Sequence, residues 1–260
     1  MNNYQFAYGD GTVTLPLEGC NILGELHGSK VEPVKDIRAA LWDSLDEPIG
    51  SEALYKRVKA GDTVALIVSD MSRFWMRQDL VVPHLVDYLT QRCGVREADI
   101  SVVIANGTHE GGSEQELRTL VTDAVYDRIH VENHDCDAAD FVYLGTTPHG
   151  TPVSINRTAA EADIVICLGA VTHHVMAGFG GGRKSILPGI SSRETIFHNH
   201  AFSLDAAQLR SNPAIGNGVL KGNPLHEDMC EAAGLVKNLF IINLVMNAQM
   251  QLAAIFSGHY

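Results

Sequence analysis

No Cys-x-x-Cys pair occurs in this 260-residue chain, and its five cysteines are an odd, scattered set. That excludes a disulfide framework and a zinc-ribbon site and fits a reducing, cytoplasmic setting. No His-Glu-x-x-His run is present, so a zincin-type metal site is excluded. No apolar stretch reaches the roughly 18 residues of a spanning helix. The start, MNNYQFAYGDG, lacks the basic and apolar regions of a secretory leader. Basic residues are in deficit, with 19 Lys+Arg against 31 Asp+Glu, a net charge of −12 with histidine neutral. A nucleic-acid binder needs a basic face, so that class is set aside; an anionic small molecule in a locally basic site is not. No internal repeat or low-complexity linker divides the chain. What is present suits a folded chain with a real core, at 45% hydrophobic and 19% charged residues. Histidine is in surplus: there are twelve, four of them crowded into His173-His174 and His198-x-His200.

The hydropathy pattern alternates apolar strands with helical stretches. Residues 4–8 and 12–17 read as a hairpin about Gly9-Asp10-Gly11. Residues 63–69, 99–105, 163–168 and 238–245 are nearly continuous apolar runs, the mark of strands buried on both faces. Between them, 34–45, 51–60, 79–93 and 224–235 read as helices. Ser113-x-x-Glu116 and Ser191-x-x-Glu194 have the form of capping boxes, the second opening a helix from 195 to about 200. Residues 129–132 form a short strand candidate, 141–144 with 152–155 a meander, and 250–256 a strand that pairs with 238–245. The expected fold is α/β: a Rossmann-like, mostly parallel sheet with helices on both faces.

Ligands in such sheets bind beyond the carboxyl ends of the strands, and three of these ends carry polar clusters. After 63–69 come Asp70 and Arg73, which can pair with each other or grip an anion. After 99–105 comes Asn106-Gly107-Thr108-His109, where a histidine suits general acid–base work near neutrality. After 163–168 comes the densest stretch, with His173-His174 before Gly178-Phe179-Gly180-Gly181-Gly182 and Arg183-Lys184 after it. Backbone N–H groups in such a loop can cradle a phosphate. It is not a P-loop, because Arg183 separates Gly182 from Lys184, nor a dinucleotide fingerprint, whose third glycine is replaced by Arg183. Two histidines spaced two apart on a helix do not face each other, so His198 and His200 do not share a metal. Ser185 and Ser191 sit in no nucleophile elbow, which places a hydrolase last. The residues alone leave open a non-catalytic nucleotide- or phosphate-binding module.

Taken together, Asp70-x-x-Arg73, Gly107-Thr108-His109, HVMAGFGGGRKSILPG at 174–189, SSRETI at 191–196 and Asn199-His200 resemble the nickel-pincer lactate racemase family. The block from 174 to 200 is the specific part. The resemblance implies a racemase or epimerase of a 2-hydroxy acid, lactate or a relative, working by hydride abstraction and return through a 2-keto acid. It implies a nickel-bearing pyridinium mononucleotide tethered covalently to Lys184, with His200 as the protein's nickel ligand. One histidine suffices for a square-planar Ni(II) held on its other sides by the cofactor. Asp70 and the glycines Gly180, Gly181 and Gly182 match the cofactor surroundings. His109 and His174 match the two opposed acid–base histidines, and Arg73 the residue that orients the substrate carboxylate. Cofactor-maturation enzymes are the implied partners. Residues 1–260 would be the N-terminal, cofactor-binding catalytic domain, and the resemblance implies that the family's second, smaller domain would be absent from this chain.

Overall fold

The computed structural model of the chain describes residues 3–26 and 28–260. It divides into a short unit that ends at Lys30 and a larger unit, Val31–Tyr260. The short unit is the expected antiparallel hairpin, β1 (Asn3–Tyr8) with β2 (Gly11–Pro16).

The larger unit is built on a six-stranded sheet. In chain order its elements begin with α1 (Ile37–Asp46), α2 (Leu54–Arg57), β3 (Val64–Ser69), α3 (Val82–Asp87) and β4 (Ile100–Ala105). Next come α4 (Glu114–Val121), α5 (Asp123–Tyr126), β5 (His130–Asn133), the hairpin β6 (Val142–Thr146) and β7 (Pro152–Ile155), α6 (Arg157–Glu161) and β8 (Ile164–Ala170). Two small ribbons flank α7 (Arg193–Ala201): β9 (His173–His174) with β10 (Gly178–Phe179), and β11 (Leu204–Asp205) with β12 (Arg210–Ser211). The chain closes with α8 (Pro224–Gly234), β13 (Leu239–Met246) and β14 (Leu252–Gly258). The strand order is β14-β13-β8-β3-β4-β5, and every pairing is parallel except β13 with β14.

Both faces of the sheet are covered, which is why its strands are continuously apolar. Successive side chains of β3 point to opposite sides. Leu66 and Val68 pack with Leu41 and Leu45 of α1, Leu85 of α3 and Leu117 of α4. Ala65 and Ile67 pack with Ala159 of α6, Ile196 of α7, and Leu225 and Met229 of α8. Burying each of these leucine, isoleucine, valine and methionine side chains stabilises the fold by about 1.5–3 kcal/mol, so both layers are held by the same central strands.

Three helical expectations are corrected. The stretch 51–60 yields one turn, because Val58 is extended (φ −122, ψ 135) and Arg57 turns to bond Asn238 Oδ1 and the Leu239 carbonyl. The stretch 79–93 is regular only in α3 and continues as a π turn over Tyr88–Arg92, whose Tyr88 hydroxyl bonds Asp46 at 2.5 Å. Finally, α7 is capped by Ser192, not Ser191: Ser192 is extended and accepts from Thr195 N, whereas Ser191 is buried with its hydroxyl donating to the Ile186 carbonyl. The box at Ser113 and Glu116 forms with both reciprocal bonds.

Candidate active site

The carboxyl ends of β8, β3 and β4 lie side by side, so the three polar segments that follow them meet over one edge of the sheet. Asp70 leads from β3 into a 3-10 turn, Met71–Met76. Its carboxylate accepts from Ser72 Oγ at 2.6 Å on one oxygen and pairs with His109 Nδ1 at 2.5 Å on the other. Arg73 Nη1 donates to Ser72 Oγ at 3.0 Å, so Arg73, Ser72, Asp70 and His109 form one connected chain. Asp70 is buried, whereas the His109 side chain is 54% exposed and Arg73 is exposed. With Nδ1–H given to Asp70, His109 keeps Nε2 as a free acceptor.

The loop carrying His109 is tied to the far side of the cleft. Gly107 N donates to the Gly189 carbonyl at 2.9 Å, and Asn106 Nδ2 to the His134 carbonyl at 2.9 Å. Beyond β8, the ribbon β9–β10 presents His174. His174 Nδ1 accepts from Ala177 N at 3.0 Å and Met176 N at 3.2 Å, which assigns its proton to Nε2. Burial pushes the His174 imidazole down to about 4, and Lys184, Arg73, His200 and Arg183 add to the effect. Lys184 stands on the 3-10 turn Gly182–Ser185. Burial, then Arg73 and Arg183, brings its ammonium down to about 7.

His200 lies in the last turn of α7, and its Nδ1 donates to the Ile196 carbonyl at 3.0 Å. That bond leaves Nε2 with an available lone pair, the arrangement of a metal-ligating histidine. Burial is the main cause holding the His200 imidazole below its ordinary value, against the Ile196 bond, which raises it.

One cavity of about 320 Å³ is lined by Asp70, Arg73, His109, His174, Lys184 and His200 together. Gly180 and Gly181 line it too, while Trp75 and Phe197 supply apolar wall. Its size suits a small-molecule ligand. Gly182 lies outside the lining, and His173 and His198 are exposed, His173 tilted against the Phe179 ring at 5.0 Å.

The phosphate cradle expected of the glycine loop is corrected in part. Gly180 N donates to the Thr172 carbonyl at 2.8 Å, Phe179 N to the Ala177 carbonyl at 2.9 Å and Gly182 N to Asn243 Oδ1 at 2.9 Å. These donors are spent inside the protein. The glycines instead permit close approach: a Cβ on Gly169 would stand 3.0 Å from Gly181 Cα, and one on Gly181 would stand 2.4 Å from Asn243 Oδ1.

Other contributors carried weaker signals. Asn243 interrupts the apolar run of β13, and that lone polar residue was its cue. Asn199, buried, donates to Asp228 Oδ2 at 2.7 Å and to the Leu225 carbonyl at 3.0 Å, seating the turn that holds His200. Asp228 also accepts from Thr147 and Thr151, residues that no local motif links to it. Ser191 is no nucleophile, since its hydroxyl is buried and engaged. Among the described residues, no helix is long and apolar enough to cross a membrane.

The chain is 31% identical over 264 residues to a lactate racemase of Thermoanaerobacterium thermosaccharolyticum, an alignment covering 100% of this chain and 60% of that protein. It is 31% identical over 254 residues to a lactate racemase of Lactiplantibacillus plantarum, covering 96% of this chain and 58% of that one. The structure of the lactate racemase apoprotein from the first organism matches with a TM-score of 0.84 at 30% identity, over 99% of this chain and 59% of the other. The chain therefore spans about 60% of the length of the curated relatives it matches. A family model described as the lactate racemase N-terminal domain matches residues 8–211, and the chain belongs to that family.

Proposed function

We propose that this chain is the cofactor-binding, N-terminal part of a racemase or epimerase of a 2-hydroxy acid. The observation that carries the reading is the convergence of Asp70, Arg73, His109, His174, Lys184 and His200 on one cavity. They arrive from separate segments after β3, β4 and β8 and from α7.

The residues fit a nickel-bearing pyridinium mononucleotide. Lys184 offers an amine whose charge burial disfavours, suited to covalent attachment. His200 offers Nε2, with its other nitrogen fixed by Ile196, as the single protein donor to the metal. Gly180 and Gly181 allow the backbone to approach the group closely. When bound, the group supplies a hydride acceptor and donor within the cavity.

The protein's own residues do the rest. Arg73, held through Ser72, orients the substrate carboxylate, for which a planar guanidinium suits bidentate pairing. His109 accepts the hydroxyl proton at Nε2, and Asp70 steadies the resulting imidazolium through Nδ1–H. His174 faces the substrate oxygen of the opposite enantiomer. In the present geometry it offers Nε2–H, and taking a proton there requires Nδ1 to carry the ring's hydrogen instead. Trp75 and Phe197 narrow the cavity around the substrate's side chain.

The test is intact mass and peptide mapping of the chain from a host that makes the cofactor, with Lys184→Ala as control, followed by racemisation assays on lactate and related hydroxy acids. The reading expects a mononucleotide-sized adduct on the Lys184 peptide, with nickel, lost in the variant. An unmodified Lys184 where a known family member is loaded would overturn it.

A further inference from the structure

Arg183 is an unusual neighbour for Lys184. It is 8% exposed and sits beside Lys184 on the turn Gly182–Ser185. Its Nη2 donates to the Ala177 carbonyl at 2.8 Å and the Phe179 carbonyl at 3.1 Å, clasping the turn that joins β9 to β10. Its Nε has no acceptor. Among the described residues no carboxylate pairs with it, and burial keeps the nearby Cys230 thiol protonated, so that thiol supplies no counter-charge. A buried guanidinium without a counter-ion is costly. Holding two carbonyls does not need a permanent charge, since a neutral amide donor also reaches them. The charge therefore calls for a separate account.

The groups around Lys184 supply one. Arg73 faces it from the turn after β3, His174 from β9 and His200 from α7, while Asp70 and His109 line the same cavity. Asp70 is the only carboxylate in that lining, and Ser72 and His109 already engage it. Lys184 thus has two arginines to repel its charge and no free anion to hold it.

We propose that Arg183 is a positioning residue for Lys184, a buried unpaired cation that keeps the neighbouring amine uncharged and nucleophilic while its guanidinium holds the His174-bearing turn in place. The inference rests on the reading of Lys184 as the attachment point and adds what makes that amine reactive. Burial and the two arginines lower the Lys184 ammonium in the same direction.

The experiment is competitive acetylation of the cofactor-free chain with limiting acetic anhydride across pH 5.5–10, read by peptide mapping, with exposed Lys56 and Lys59 as internal references. Each event joins an acetyl group to Nζ and releases acetate and a proton. Wild type should label Lys184 with a midpoint near pH 7, well below the roughly 10.4 of an ordinary lysine. Arg183→Gln, which removes the charge and keeps an amide donor, should move the midpoint up by about one unit, cutting relative labelling at pH 7 by about fivefold. Arg183→Lys, which restores a cation, should recover most of that loss. An unchanged midpoint in Arg183→Gln, or Arg183→Lys behaving like Arg183→Gln, overturns the proposal. If Arg183→Gln does not fold, a wild-type midpoint as high as that of Lys56 overturns it without any variant. An unmodified Lys184 in the chain from the cofactor-making host overturns the attachment reading instead and leaves this titration intact.

Discussion

Replacing Gly181 with alanine tests whether the glycine loop serves close packing. Gly181 has φ +76 and ψ −177, a conformation essentially confined to glycine. Placing an L-residue there costs about 1–3 kcal/mol. The new Cβ would also meet Asn243 Oδ1 at 2.4 Å and the Ala170 carbonyl at 3.0 Å. Ala170 is backbone at the end of a central strand and cannot withdraw, but Asn243 can rotate. Doing so breaks its 2.9 Å bond from Gly182 N, a loss of about 0.5–1.5 kcal/mol. The sum is about 1.5–4.5 kcal/mol of destabilisation, a large share of ordinary domain stability but compatible with folding. Denaturant unfolding measures it, with Gly222→Ala as control: Gly222 also has φ +76, and a Cβ there meets nothing within 4 Å. The expected order is a clearly larger loss for Gly181→Ala. Because the clash is with Asn243, Gly181→Ala combined with Asn243→Ala should lose less than the sum of the two single changes. Equal losses in the two alanine variants, together with strict additivity in the double variant, would refute the packing argument.

Four further outcomes follow from the same structure. Nitrogen NMR should find His174 neutral with its proton on Nε2 through mild acid. Because the unfolded imidazole protonates near pH 6.5 and the folded one near 4, the folded state binds fewer protons in that window. His174 therefore contributes to loss of stability as pH falls from about 6.5 toward 4, and His174→Gln should reduce that slope. His149 has the opposite sign. Its bond to Glu231 at 2.8 Å raises its pKa, so its stabilisation is full below about pH 6.5 and is lost as pH rises through the folded value. Glu231→Gln should abolish that alkaline-side loss in pH-dependent unfolding. Asp70→Asn should leave the melting profile near wild type yet lower turnover of the loaded enzyme by roughly 10²-fold, because the His109 imidazolium loses its counter-charge; unchanged turnover would remove Asp70 from the reaction. Ser113→Ala should cost about 1 kcal/mol in denaturant unfolding, through loss of the bond to Glu116 N.

How far the sequence discloses this protein depends on how local each cause is. The runs that become β3, β4, β8 and β13 are legible because each strand is buried on both faces and carries its own apolar signature. Asp70, His109 and His174 are legible because each follows such a strand within a few residues, and sheet topology then brings the strand ends together; Lys184, beyond the β9–β10 ribbon, is marked by the resemblance of the 174–189 block. The start of α7 is read one residue early, at Ser191, because Ser191-x-x-Glu194 has the form of a capping box; the Ile186 carbonyl takes the Ser191 hydroxyl and leaves Ser192 to cap. The site's supports are harder to see. Asn243 meets Gly182 across 61 residues and Thr147 meets Asp228 across 81, and neither pairing leaves a local pattern. The glycine loop shows why that matters for function. Four glycines before Arg183-Lys184 suit either a phosphate cradle or a backbone pressed against a strand end. The two uses differ only in where the N–H groups go. That accounting turns on Thr172 and Asn243, one on the strand-end loop and the other on β13. With those donors engaged, the loop's role passes to what it brings close, and in the proposed function the chemistry of the site rests on the side chains of Lys184 and His200.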